Sequence, residues 1–146
     1  MIAYFDTSAL IPLLVDEPGS DRAARLWDVA DNVVAVRLIY AEARAALAQA
    51  TRMGRLAAAD LTTAIEGLEG LYVSLDLLEV DERIVRRAGE LAQHHALRGY
   101  DAVHLAAAER VRDDATVLVA GDRSLCAAAG ALGMAVADTS VDGHDG

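Results

Sequence analysis

The sequence predicts an α/β fold in which helices cover both faces of a mostly parallel sheet. Three observations predict it. Short apolar, β-branched runs alternate with helical stretches along the whole chain. No internal repeat, linker or low-complexity block divides the 146 residues, a length that suits one domain with a substantial core. Acids also follow apolar runs directly, at the carboxyl edge where open α/β sheets hold their ligands.

The elements follow in order. Residues 2 to 5 form a first strand. After Pro12 and the Pro18-Gly19 break, Ser20 or Asp21 caps a helix running to about Ala30. Val33 to Val36 is the second strand, followed by helices from Leu38 to Arg52, ended by Gly54, and from Leu56 to Leu68. Residues 71 to 80 are ambiguous, with Leu77 to Val80 as the third strand. Asp81 caps an amphipathic helix carrying Ile84, Ala88, Leu91, Ala92 and His95 on one face. A helix starts near Tyr100, residues 116 to 120 form the fourth strand, Arg123 to Leu132 a helix, and Met134 to Ala137 the last strand. The domain is expected over residues 1–140, with 141–146 a disordered tail.

Composition narrows the function. The hydrophobic content of 54% includes only 4% aromatic residues, so the core is mainly alanine, leucine and valine. Net charge is −10 and all 13 basic residues are arginine. That balance argues against a generic nucleic-acid-binding module, whose affinity comes from basic surface. It leaves room for an enzyme that meets phosphates through cations and a few local arginines. The lack of lysine excludes Schiff-base chemistry and a phosphate-binding lysine. Cys126 stands alone and reads as a small buried hydrophobe. With no signal-peptide pattern and no apolar run long enough to cross a bilayer, a cytoplasmic protein is expected, without membrane association.

Four acids carry the functional signal. Asp6 follows the first strand, Glu42 lies in an alanine-rich helix, Asp101 stands where a helix begins, and Asp122 follows the fourth strand. Each alone has an ordinary explanation: Asp6, Asp101 and Asp122 as helix caps, Glu42 as an exposed helical residue. Together they can meet at one sheet edge, and with no matching cations nearby in sequence they suggest a divalent-metal site. Hard oxygen ligands suit Mg²⁺, or alternatively Mn²⁺. Thr7 and Ser8 can orient the first carboxylate. Arg37, Arg44, Arg98 and Arg123 lie near the acids and can steer a phosphate backbone, with Arg123 singled out for a phosphate contact. The histidines lack zinc spacing. His104, one turn from Asp101, can stand near the site, although core or surface is the ordinary reading of such a histidine.

Asp6-Thr7-Ser8-Ala9-Leu10-Ile11, Tyr40-Ala41-Glu42, Tyr100-Asp101-Ala102-Val103-His104-Leu105-Ala106-Ala107-Ala108 and Gly121-Asp122-Arg123-Ser124-Leu125 resemble, in order, the motifs of PIN-domain ribonucleases. Length and single-domain build resemble the VapC toxins of type II toxin–antitoxin systems. The resemblance implies a three-layer α/β/α sandwich and a Mg²⁺-dependent endoribonuclease acting as a toxin. It places Asp6, Glu42, Asp101 and Asp122 on the family's catalytic and metal-binding acids, with Asp6 and Asp101 the principal ligands. It also implies an RNA substrate, a cognate antitoxin with a basic side chain for the acidic site, and products with 5′-phosphate and 3′-hydroxyl ends. A homodimer is expected from the alanine- and leucine-rich helical surface.

Rivals fit less well. A receiver domain or a haloacid-dehalogenase-like phosphatase needs a lysine, and neither a P-loop nor a G-x-G-x-x-G turn is present. The alternative function is a metal-binding protein-interaction domain on the same fold, without nuclease activity.

Overall fold

The computed structural model describes residues 1–140. The expected disordered tail, residues 141–146, lies outside the described residues. Five strands form the sheet: β1 (Ile2–Phe5), β2 (Asn32–Val36), β3 (Asp76–Leu78), β4 (Thr116–Ala120) and β5 (Ala135–Asp138). Their spatial order is β3-β2-β1-β4-β5 and every pairing is parallel. The helices are α1 (Thr7–Leu10), which runs into a 3₁₀ turn at Ile11–Leu13, α2 (Ser20–Val29), α3 (Ile39–Arg52), α4 (Ala58–Ser74), α5 (Glu82–His95), α6 (Gly99–Val111) and α7 (Arg123–Ala131).

Side-chain alternation along each strand splits the core into two layers. Ala3 and Phe5 of β1, Val33 and Ala35 of β2, and Val119 of β4 face α2, α3 and α4. Tyr4, Val34, Val36, Leu118 and Ala120 point the other way, toward α5, α6 and α7. The central strands therefore carry apolar residues on both faces, and the helices on both sides complete a three-layer sandwich. A smaller cluster of Leu47, Leu56 and Ala64 joins α3 to α4.

Small shifts separate the sequence reading from the structure at β2, which starts at Asn32, at α4, which starts at Ala58, at α7, which ends at Ala131, and at β5, which is Ala135–Asp138. Three further differences have local causes. Helix α4 continues to Ser74, beyond the expected end near Leu68. Gly67 and Gly70 weaken its helical signal, but Gly67 serves packing: a Cβ there would stand 3.1 Å from Leu14 Cδ2. Strand β3 is Asp76–Leu78 rather than 77–80, because its register sets Asp76 opposite Val34 and Leu78 opposite Val36. The N-cap of α2 is Gly19, rather than Ser20 or Asp21. The Ser20 hydroxyl instead donates to the Val15 carbonyl at 3.1 Å and accepts from Glu17 N–H at 2.9 Å, closing the preceding loop. Asp81 caps α5 as expected, accepting from Ile84 N–H at 3.0 Å.

What positions a site is the strand order. The chain moves outward from β1 to β2 and β3, then returns to place β4 on the other side of β1. The β1/β4 boundary is therefore the switch point of the sheet, where the loops beyond the strands part and leave a crevice. Asp6 leaves β1 and Asp122 leaves the end of β4 at this crevice. Among the described residues no helix is long and apolar enough to cross a membrane.

Candidate active site

The four acids line one cavity of about 440 Å³, together with Thr7, Ser8, Arg98 and His104. Ile11, Leu38, Ala45 and Ala46 give it an apolar wall. Three elements besides β4 supply the acids, and each does so for a local reason.

Asp6 is the N-cap of α1, where its Oδ1 accepts from Ala9 N–H at 3.1 Å. It is only 3% exposed. The Ser8 hydroxyl lies 2.7 Å from Oδ1 and 2.9 Å from Oδ2, and it accepts from Gly121 N–H at 2.8 Å. Ser8 thus ties the carboxylate after β1 to the loop after β4. Gly121 is needed for that approach, since a Cβ would meet Thr139 Oγ1 at 3.1 Å and the Ser8 carbonyl at 3.3 Å. Burial pushes the Asp6 carboxyl up to about 6, against the opposing influence of His104 and the bonds from Ser8 and Ala9. A carboxylate kept charged in such a place favours a nearby cation.

Asp101 lies in the first turn of α6 and is 8% exposed. Its Oδ2 accepts from Arg98 Nε at 2.8 Å. Asp122 caps α7 through Oδ1, which accepts from Leu125 N–H at 3.0 Å, and its Oδ2 lies 3.4 Å from Arg98 Nη2. Arg98 therefore spans two of the acids, with its guanidinium carbon 4.9 Å from the Tyr100 ring centroid. The expectation that no cation accompanies the acids is corrected here. Arg98 precedes Asp101 by three residues, a spacing that brings it onto the same helical side.

Glu42 projects from the first turns of α3 into the cavity, with its side chain 23% exposed. The exposed reading that an isolated helical glutamate invites does not hold. Its Oε1 is 2.8 Å from Nε2 of His104, a residue 1% exposed and wholly inside the structure. Nδ1 of the same ring is 3.1 Å from the Tyr4 hydroxyl, and Thr7 Oγ1 stands at 3.5 Å from Nε2. His104, read from sequence as core or surface, is buried and is also part of the site. Burial lowers its proton affinity, but the Glu42 bond and the charges of Asp6, Glu42 and Asp101 outweigh this and raise it overall. Burial likewise raises the Tyr4 phenol well above its ordinary value, keeping the O–H protonated.

Arg123 is exposed and does not line the cavity. The arginine that reaches the acids is Arg98, a distinction that sequence proximity alone did not draw.

A divalent cation suits the chemistry of these donors. The cavity gathers four carboxylates, and the most buried of them has its charged form disfavoured by desolvation. Among the described residues no three acids or histidines already close on a common point. Arg98 holds Asp101 and Asp122 from the solvent side, and it would have to yield to an ion.

The PIN domain family matches residues 3–131, nearly the whole described chain. The chain belongs to the PIN-domain family. Ribonuclease VapC45 of Mycobacterium tuberculosis (strain CDC 1551 / Oshkosh) is 42% identical over 141 residues, covering 97% of this PIN domain chain and 98% of the relative. PAE2754 from Pyrobaculum aerophilum superposes with a TM-score of 0.66 at 26% identity, covering 88% of this chain and 87% of that one. A toxin–antitoxin complex from Klebsiella pneumoniae shares the fold, with a TM-score of 0.65 at 18% identity over 94% of this chain and 97% of its own.

Proposed function

We propose that this PIN domain is a Mg²⁺-dependent endoribonuclease acting as the toxin of a toxin–antitoxin pair. The observation that carries the reading is a nearly buried carboxylate, Asp6, sharing one cavity with Glu42, Asp101 and Asp122 at the switch point of the sheet. Similarity to a relative named as a ribonuclease supports RNA as substrate.

Asp6 and Asp101 are the principal metal ligands in this reading, with Glu42 and Asp122 completing the set. A bound Mg²⁺ supplies a more acidic water and charge stabilisation on the leaving oxygen of a phosphodiester. The chain's own residues prepare that chemistry. Ser8 and the α1 backbone hold Asp6 in one orientation. Leu38, Ala45 and Ala46 give one side of the cavity an apolar wall. Arg98 offers a guanidinium at the mouth where a phosphate would enter. Attack by water leaves 5′-phosphate and 3′-hydroxyl ends.

Arg98 across Asp101 and Asp122 also illustrates how a guanidinium fits these acids. A basic antitoxin side chain could take that place, and the net charge of −10 favours such a partner. A homodimer is part of the same reading, supported by Val29 and Val73, 66% and 82% exposed at the ends of α2 and α4.

The test is incubation of antitoxin-free protein with total RNA, in Mg²⁺ and in EDTA, with the product ends sequenced. Discrete cuts with 5′-phosphate ends, seen only with metal, are expected. Folded protein that leaves RNA intact would favour the binding-domain alternative, and cutting unaffected by EDTA would remove the metal from the reading.

Arg98→Ala separates the metal from its competitor. Exposed ion pairs are worth roughly 0–1 kcal/mol, and the Arg98 side chain is 64% exposed. Freeing Asp101 and Asp122 should therefore tighten Mn²⁺ binding by no more than about fivefold in a calorimetric titration. Weaker binding in the variant would mean that Arg98 organises the acids instead of competing for them.

A further inference from the structure

Tyr4, His104 and Glu42 form a hydrogen-bonded chain that runs from the centre of the sheet to the cavity. Its polarity follows from the groups involved. An ionised Glu42 can only accept, so His104 Nε2 carries the hydrogen that bridges the 2.8 Å to Oε1. In the neutral ring Nδ1 is then an acceptor, and the Tyr4 hydroxyl 3.1 Å away is its donor. Glu42 and Tyr4 thus favour the same tautomer from opposite sides of the ring, and Tyr4 is the partner that engages Nδ1.

The three residues also sit on three of the four elements that deliver acids. Tyr4 is two residues before Asp6 on β1, so the two share a direction across the strand. His104 is three residues after Asp101 on α6, on the same helical side. Glu42 comes from α3, across the sheet edge. A histidine and a tyrosine placed here for packing alone would cost desolvation that apolar residues avoid. What they add is direction. His104 holds Oε1 of Glu42 and leaves Oε2 for the cavity that Glu42 lines.

We propose that His104 is a positioning residue that aims Glu42 into the acid cavity, and that Tyr4 keeps His104 in the tautomer able to do so. The proposal rests on Glu42 being one of the site's metal-binding acids. Partners that orient a metal-binding carboxylate are typically worth about 10–100-fold in metal affinity or activity.

Two amide substitutions separate aim from packing. In His104→Gln the terminal amide can reach the place of Nε2 and still donate to Glu42, whereas in His104→Asn it reaches only the place of Nδ1. Tyr4→Phe keeps the packing and removes the donor to Nδ1. Mn²⁺ affinity is measured by calorimetry and RNA cleavage by initial rate, with urea midpoints reported for each variant. His104→Asn should lose about 10–100-fold in Mn²⁺ affinity, His104→Gln should stay within about threefold of wild type, and Tyr4→Phe should fall between them. Equal losses in the two amides, or no loss in either, would overturn the proposal.

Nitrogen NMR of the imidazole near pH 9 gives a readout independent of metal and activity. The Nε2–H form is expected in wild type, with Nδ1–H appearing in Tyr4→Phe; Nδ1–H in wild type would overturn the assignment. An intact Gln-over-Asn order in Mn²⁺ binding, in a wild type that leaves RNA uncut, would support the positioning role while sinking the nuclease reading.

Discussion

Asp101→Asn and Asp6→Asn are each expected to reduce RNA cleavage by on the order of 10³-fold or more. A bound divalent ion contributes several kcal/mol of charge stabilisation to phosphodiester hydrolysis, and each 1.36 kcal/mol is a factor of ten in rate. Asparagine removes the charge that holds the ion while keeping nearly the same shape. The local roles of Asp6 survive the change, because asparagine is as good an N-cap as aspartate and its amide oxygen can still accept from Ala9 N–H and Ser8. Asp6→Asn should therefore fold at least as well as wild type near neutral pH. Initial rates on RNA and urea midpoints, taken together, decide the matter. Full activity in both variants would show that the cavity is not the catalytic centre. A loss of activity accompanied by a fallen midpoint in Asp6→Asn would contradict the claim that its carboxylate is a burden to the fold.

The strand-end acids were legible in the sequence because their signal is local. Asp6 ends an apolar run and starts a helix, and Asp122 does the same after β4. Any parallel sheet would send both to one edge. The other two depended on tertiary detail. Glu42 turns inward because His104 meets it from α6, 62 residues away, and no periodicity encodes that encounter. His104 showed no zinc spacing and no catalytic pattern. Its spacing of three residues from Asp101, on a helix beginning at an acid, was the available clue.

Arginine placement was legible only in part. Arg98 and Arg123 both neighbour acids in sequence. Arg98 precedes α6 and folds back over its first turn onto Asp101. Arg123 begins α7 just after its capping aspartate and points to solvent. The difference lies in rotamer and helix direction, which sequence adjacency does not record. For the fold, the parallel sheet with helices on both faces came through the alternation of elements, whereas the end of α4 was hidden by Gly67 and Gly70, of which Gly67 serves packing against Leu14.

The metal-free protein should lose stability as pH rises from about 4 toward 7, in contrast to a domain governed by its surface carboxylates. Asp6 titrates near 3.8 when unfolded and is raised to about 6 in the fold. Between those values the native state holds a proton that the unfolded chain has released, so stability falls with rising pH. Two units at about 1.4 kcal/mol each give a cost of about 3 kcal/mol above pH 6, roughly half of it incurred between pH 5 and 7.5. His104 acts in the same sense: its raised proton affinity contributes stability that is complete below about 6.5 and is lost as pH passes the folded value. Asp31, Asp81 and Glu109 act oppositely, because their partners hold them below the ordinary carboxylate values and their contribution disappears only in acid. Urea unfolding in EDTA near pH 5 and near pH 7.5 isolates Asp6 by comparison with Asp6→Asn. The variant should gain about 1.5 kcal/mol on wild type across that interval. Excess Mg²⁺ should erase most of the wild-type decline, since a cation beside the carboxylate offsets the cost of its burial. Parallel pH profiles for the two proteins in EDTA would mean that Asp6 is ionised in the fold without penalty, and the physical case for a cation beside it would fall with that result.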